Sequence, residues 1–470
     1  MTAGVAGTQA TGLVGPVAVS GGLLLLLVSP IMRGGNSHAA LIPLELIALA
    51  LLLALCVRFA MAWRNAEARL APQPLLSLLL LSPALFAVVQ LIPVPAGLWS
   101  RLPGHAVYLD TLDGIRATAM SWRPVSVSPD ATRAALLAGI PLVAAFLLAY
   151  LASLAQLRLL MRLVVAMAFA EVLLGLMQIS GGEHSPLFFG VMSYGPPVGT
   201  FANRNHFANY VAMALAAYVW LAYEANRDAM SRRKPTSFGS SHKAAAWVAG
   251  SLVLVLGILM SRSRGAALFG LPMALIGLSA VSLRVIGWAR GLRFAVPVTL
   301  LLVLAAAALI GFDAVTSRIS GAQLAGSASF RSALALASLD AAAAFWPWGS
   351  GWGTYDLAVQ RFQPASMAFY PNHAHMDYVE MLLEGGIFFA LLAAMFLWLA
   401  GRRARLLVKL ALRDRKLDRE AMAATLCGLG LLGFLLHSLV EFNMRIPANA
   451  ILACLLAGVY LRPLSPATLQ

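Results

Sequence analysis

The chain has 470 residues, of which 60% are hydrophobic and only 11% charged, with a formal net charge of +15. A soluble domain carries about 25% charged residues, so the composition excludes an ordinary water-soluble fold and indicates an integral membrane protein. The basic excess must first be divided between the two sides of a membrane and does not point to nucleic acid; Cys56, Cys427 and Cys454 all lie in apolar runs, which argues against a disulfide or zinc framework.

The apolar runs are long and do not alternate, as membrane helices require and barrel strands do not. Twelve spans are predicted, at 16–32, 39–62, 74–98, 134–154, 157–180, 205–223, 244–260, 265–283, 293–312, 376–400, 421–440 and 447–461. No Lys or Arg precedes the first, so it lacks the basic start of a secretory signal and is expected to be a retained helix. The fold class expected is an all-α polytopic membrane protein, one integral domain over 1–470. Two connections are long enough for structure of their own, 99–133 and 313–375, the second between spans nine and ten. The second carries "FWPWGSGWGTYDLAVQRF" at 345–362, whose aromatic and glycine residues suit an interfacial, part-helical cap.

With the N-terminus inside, 22 of the 34 basic residues fall in cytoplasmic segments, all four lysines among them, so both termini are expected in the cytoplasm. The 12 basic residues left outside are all arginine, the side chain suited to bidentate phosphate contacts.

Four constellations lie at the expected outer face. "GTFANRNHFANY" (199–210) sets Arg204 among Asn203, Asn205, His206 and Asn209 where span six begins. Such a helix start either binds an anion or is capped by Asn. "SRSRGA" (261–266) puts Arg262 and Arg264 in a tight turn with no nearby acid, either for an external anion or as interfacial anchors. Arg331 lies on a predicted amphipathic helix, open to an ion pair with Asp340 or Asp356. "YPNHAHMDYVEMLLEGG" (370–386) gathers His373, His375, Asp377, Tyr378, Glu380 and Glu384 at the mouth of span ten. His375, Tyr378, Glu380 and Glu384 can share a helix face, and Glu384 is expected about two turns into the membrane. A histidine here can act as a general base, with metal ligation and an ordinary capped helix start as the competing readings. Glu441 and Arg445 of "EFNMRIPANA" are expected to pair with each other; Glu45 and Glu171 lie within spans.

Together "GTFANRNHFANY", "SRSRGA", the block from Arg331 to "GSGWGTY", and "NHAHMDYVEMLLEGG" resemble the O-antigen ligase and polymerase superfamily from span four onward, and "RPVSVSPDATRAALL" (123–137), with Arg123, resembles its first long loop. The resemblance implies a C-type glycosyltransferase membrane fold with a large periplasmic loop in the bacterial inner membrane. It implies transfer of a glycan from undecaprenyl diphosphate to lipid A–core, to another lipid-linked glycan, or to a protein hydroxyl. The family's histidine is commonly followed by Asn, whereas Met376 follows His375 here, so His373 remains an alternative base. On this basis Arg204, Arg264, Arg262 and Arg331 are expected to hold the diphosphate in place of a metal, with no cofactor. His375 or His373 is expected as base with Glu380 or Glu384 orienting it, and Asn203, Asn205, His206, Tyr378, Arg123 and Arg445 as substrate contacts. A ligase is the leading expectation, with polymerase and protein glycosyltransferase as relatives. A lipid-linked sugar transporter is the rival from another class, disfavoured because no repeat is found and the ionisable groups concentrate at the outer mouths.

Overall fold

The computed structural model describes residues 13–64, 74–109, 121–182, 184–191, 196–231, 238–286, 323–365, 367, 370–414, 417–465 and 468. The predicted ninth span and the segments 110–120 and 313–322 of the two long connections lie outside the described residues. In chain order the principal helices are α1 (Pro16–Val28), α2 (His38–Arg64), α3 (Pro74–Gln90), α4 (Pro129–Ala138), α5 (Ile140–Leu151), α6 (Leu154–Ser180) and α7 (Arg204–Ser231). They continue as α8 (Phe238–Met260), α9 (Leu271–Ile286), α10 (Gln323–Ala344), α11 (Asp377–Asp414), α12 (Arg419–His437) and α13 (Pro447–Leu461). Among the described residues, five helical stretches are long and apolar enough to cross a membrane: Ala39–Trp63, Pro129–Leu151, Leu154–Ser180, Asp377–Arg413 and Arg419–His437. The chain is an all-α membrane protein. Its only strands among the described residues are the short antiparallel pair β1 (Pro93–Pro95) and β2 (Trp122–Pro124).

Three boundaries differ from expectation. The predicted span 74–98 stops being helical at Gln90, because Pro93 and Pro95 turn the chain into β1. The predicted span 134–154 begins as α4 at Pro129, with Ser128 as N-cap and proline at the first helical position. Helix α11 runs on to Asp414, so the basic stretch after 400 continues the helix rather than forming a loop.

Helix α7 is the centre of the bundle. Every residue from His206 to Leu221 is buried, and α6, α8, α9 and α12 pack around it. Small side chains make this possible: a Cβ on Gly270 or Gly430 would come within 2.7 or 2.8 Å of Ala212 or Ala216, so those backbones lie directly against α7. At its far end, Glu224, its side chain only 4% exposed, takes Arg419 Nη2 at 2.6 Å and Arg158 Nη1 at 3.5 Å. That end carries the basic side chains of α6, α11 and α12; the other end carries the polar constellations.

Helix α11 breaks at Gly386, which has φ +53° and ψ −138°. The break is an exchange of backbone partners. Ile387 N–H donates to Pro347 O at 2.9 Å, which frees Leu383 O to accept Ser350 N–H at 2.9 Å; Glu384 O accepts Gly351 N–H at 3.1 Å. The "GSGWG" turn is thereby stitched into the kink. Gln90, at the end of α3, closes the junction: its Nε2 donates to Glu384 O at 3.1 Å and its Oε1 accepts Trp352 N–H at 3.0 Å. The first long loop docks on the same turn through Val127 N–H to Ser350 O at 3.0 Å and Thr132 Oγ1 to Trp352 O at 2.9 Å. A Cβ on Gly386 would lie 2.0 Å from Pro347 O. Gly386→Ala is therefore expected to destabilise the protein by more than about 1 kcal/mol, read as a lower unfolding temperature in detergent.

Candidate active site

The site grows from helix ends that meet at one end of the bundle. Asn203 caps α7: its Oδ1 accepts Asn205 N–H at 2.8 Å, and its carbonyl accepts Phe207 N–H at 3.1 Å. The loop before it is fixed from below by two polar residues of α6. Gln178 accepts from Val198 and Gly199 N–H at 3.0 and 2.9 Å and donates to Gly199 O at 2.7 Å. Glu171 accepts from Thr200 N–H at 2.8 Å and from Thr200 Oγ1 at 2.6 Å. The in-span acid is thus the anchor of the motif, paired internally.

His375 lies before α11, not on it. Its φ is +52°, and the helix starts only at Asp377, whose N–H donates to Ser438 O at 3.1 Å. The expected helix face shared by His375, Tyr378, Glu380 and Glu384 is therefore not formed. His375 Nδ1 instead lies 2.7 Å from Glu441 Oε1, in the loop between α12 and α13. Asn205 Nδ2 donates to Glu441 Oε2, Phe442 N–H donates to Oε1 at 3.3 Å, and Arg331 Nη2 stands 4.0 Å from Oε2. Burial alone would push this carboxyl up, but the His375 hydrogen bond, His375 and His206 themselves and Arg331 hold it down at about 2. An ionised carboxylate can only accept, so His375 Nδ1 carries the hydrogen and Nε2 carries the lone pair. The arrangement presents a half-buried imidazole in the tautomer of a general base.

A second ionic cluster supports the first. Arg445 Nη2 donates to Glu384 Oε2, and Arg445 Nε stands 2.8 Å from Glu380 Oε1 as an ion contact without hydrogen-bond alignment. Burial would lower the Arg445 pKa, but Glu384 and Glu380 raise it above its ordinary value. Glu380 also takes His373 Nδ1 at 3.0 Å and Ala374 N–H at 2.9 Å. Asp377 accepts Met444 N–H at 2.9 Å, and Glu384 accepts Tyr355 N–H at 3.2 Å. Phe442 is the wedge among three histidines: His373 stacks on it at 4.3 Å, while His375 and His206 meet it edge-on at 4.8 and 4.5 Å.

These contacts revise several expectations. Glu441 and Arg445 do not pair with each other; they sit four residues apart in one loop and face different clusters. Arg331 meets Glu441 rather than Asp340 or Asp356. Glu380 orients His373, Glu384 holds Arg445, and the carboxylate beside His375 is Glu441, expected from the sequence to pair with Arg445. Tyr378 donates to Leu435 O at 2.8 Å, joining α11 to α12. Arg123 is buried with its guanidinium 5.3 Å above the Trp99 ring, in the packing of the first loop. His206 is buried behind Phe442. Arg204, Arg262 and Arg264 are exposed. Arg264 adjoins Gly265, where a Cβ would lie 2.2 Å from His437, the last residue of α12 and four before Glu441. The "SRSRGA" turn therefore abuts the same end of the bundle as Glu441. Among the described residues no three His, Cys, Asp or Glu side chains are grouped to hold a metal ion.

Fold and site together define a polytopic helical membrane protein with a histidine–carboxylate pair and exposed arginines at one end. Residues 249–394 match the model of a family described as O-antigen ligase. The match takes in the "SRSRGA" turn, Arg331, the glycine turn and His373 to Glu384; Arg204, Glu441 and Arg445 lie outside it. No curated protein matches the chain.

Two outcomes follow from the ionic geometry. Arg445→Met leaves two buried carboxylates without their cation and is expected to cost about 3–5 kcal/mol, with Glu380→Gln and Glu384→Gln in the same chain restoring part of it in denaturant unfolding. The Glu441 carboxyl, held at about 2 against an ordinary 4.5, contributes stability that is present above pH 4.5 and lost as the pH falls from there toward 2. The unfolding-temperature gap between wild type and Glu441→Gln should therefore shrink across that window.

Proposed function

We propose that this protein is an O-antigen ligase. It transfers a glycan from undecaprenyl diphosphate to a hydroxyl of lipid A–core oligosaccharide at the periplasmic face of the bacterial inner membrane. The observation that carries the reading is the 2.7 Å contact between His375 Nδ1 and the ionised Glu441, at the end of the bundle where the "GTFANRNH" and "SRSRGA" arginines are exposed.

In this mechanism the acceptor hydroxyl gives its proton to His375 Nε2 as its oxygen attacks the anomeric carbon. The bond from that carbon to the diphosphate breaks, and the undecaprenyl diphosphate leaves with the electron pair. Arg204, Arg264 and Arg331, with Arg262 at the rim, balance the charge that builds on the leaving oxygens, without a metal ion. Glu441 stabilises the imidazolium that forms, and Asn205 holds Glu441 in place. A single displacement inverts the anomeric centre. His373, tied to a carboxylate that Arg445 shares, braces the site; His375 is the base. The twelve-span C-type fold, both termini in the cytoplasm and the long loops 99–133 and 313–375 on the periplasmic side complete the reading. It is supported by the basic side chains at the far end of the bundle.

The test is transfer by purified protein in liposomes, given an undecaprenyl-diphosphate glycan with EDTA present and either lipid A–core or no second acceptor. Product on lipid A–core is expected, with His375→Ala lowering kcat about 10²–10⁴-fold and His373→Ala lowering it less. Chain extension from donor alone would make the protein a polymerase, product on added protein a protein glycosyltransferase. Movement of donor across the membrane without a covalent product would make it a transporter.

A further inference from the structure

We propose that the exposed apolar face of α10 seats the polyprenyl chain of the donor, an inference that rests on the lipid-linked donor reading above. Helix α10 buries one side against the glycine turn and α11 through Leu334, Ala337, Ala341 and Phe345. Its other side should be polar if it faced water. Instead Leu336 is 64% exposed, Leu339 and Trp346 are also exposed, and Ala343 lies between them. The helical turn continues past Ala344, since Trp346 N–H donates to Ala343 O at 3.3 Å. At 100° per residue these four side chains fall within an arc of about 80°. Trp348, 54% exposed, extends the stripe beyond the helix.

The stripe has a polar head and an apolar foot. Arg331 heads it, with its guanidinium 4.0 Å from Glu441 at the site, and exposed Asp340 borders one flank. At the foot, Pro347 O accepts Ile387 N–H at the α11 kink. From there the exposed Ile387 and Leu391 continue along the apolar length of α11. An apolar track about 15 Å long from Leu336 to Trp346 thus joins the proposed diphosphate position to the membrane-spanning surface. A ligand with an anionic head and a long hydrocarbon tail matches that order of charge and grease. An anionic phospholipid would also meet Arg331, but it lacks the second phosphate and the sugar that the other groups at this end of the bundle would engage.

The experiment places a photo-crosslinking amino acid singly at Leu336, Leu339 or Trp346 of the full chain in liposomes. Leu81 and Leu397, exposed on α3 and α11, serve as controls for bulk lipid contact. The probe is radiolabelled undecaprenyl-diphosphate glycan. Adducts at the α10 positions should saturate with donor and be competed by unlabelled undecaprenyl diphosphate, while adducts at the controls rise in proportion to donor and are not competed. The same unsaturable labelling at both sets, or none on α10, overturns the proposal and leaves the stripe as a surface bathed by bilayer lipid. In parallel, the kcat/KM preference for an undecaprenyl over a short-chain donor should fall roughly tenfold in Leu336→Asn/Leu339→Asn, and an unchanged preference also counts against it. Competed adducts without transfer by the wild type would separate the two readings: the donor seat would stand and the ligase would fall.

Discussion

Arg445 is largely buried between Glu380 and Glu384, and the geometry of the candidate site depends on that triad. An ion cluster of this kind is not a cheap source of stability, because desolvation offsets much of the Coulomb gain. What it supplies here is position. Arg445 lies in the loop between α12 and α13, and the two glutamates lie on the first turns of α11, so the triad locks that loop to α11. Met444 N–H on Asp377 adds a third tie across the same gap. Glu441 belongs to that loop and His375 belongs to the segment leading into α11. The 2.7 Å contact between them is therefore held from both sides by groups that take no part in proton transfer.

The other half of the site is set from below. Two polar residues of α6 reach up to the loop before α7, and between them Glu171 and Gln178 satisfy the N–H groups of Val198, Gly199 and Thr200. Those donors would otherwise be stranded in a buried loop. The loop then delivers Asn205 to Glu441. An acid inside a membrane span is a functional candidate by default, but Glu171 has its oxygens occupied by a structural duty. That removes one of the features on which a transport pathway would have drawn and keeps the reactive groups at the end of the bundle.

The local grammar of the chain was legible in the sequence. Long apolar runs, an Asn cap before α7 and the clustering of histidines with acids ahead of span ten all follow from residue type and spacing. So did the four constellations that meet at one end. The pairings inside the site were not legible, because they join residues 66 and 236 positions apart in the chain. Helical spacing suggested Glu380 or Glu384 for His375, yet that argument holds only if the histidine is on the helix, and its left-handed backbone puts it outside. Proximity in sequence likewise suggested Glu441 with Arg445. In the fold each meets other partners: Glu441 has an imidazole and an amide, Arg445 two carboxylates. One signal for Glu441 was available. An acid in a short outer loop beside a phenylalanine and an arginine had no other role to fill once Arg445 was needed elsewhere.

The kink at Gly386 links chemistry to the membrane. Breaking α11 there exchanges one helical hydrogen bond for three to the glycine turn, so the turn and α10 are carried at a fixed depth along α11. That arrangement places Trp346 and Trp348 beside the kink, about two turns along α11 from Asp377 and Glu380. Aromatic residues favour membrane interfaces, and Trp346 and Trp348 flank the Pro347 whose carbonyl bonds to the α11 kink. In the proposed reaction a base on the segment before α11 meets an acceptor from the aqueous side while the same helix pair faces lipid a few turns below. The proposed donor, half lipid and half sugar, requires that division, and on this reading the Gly386 kink, the two tryptophans and the head of α10 set where it falls.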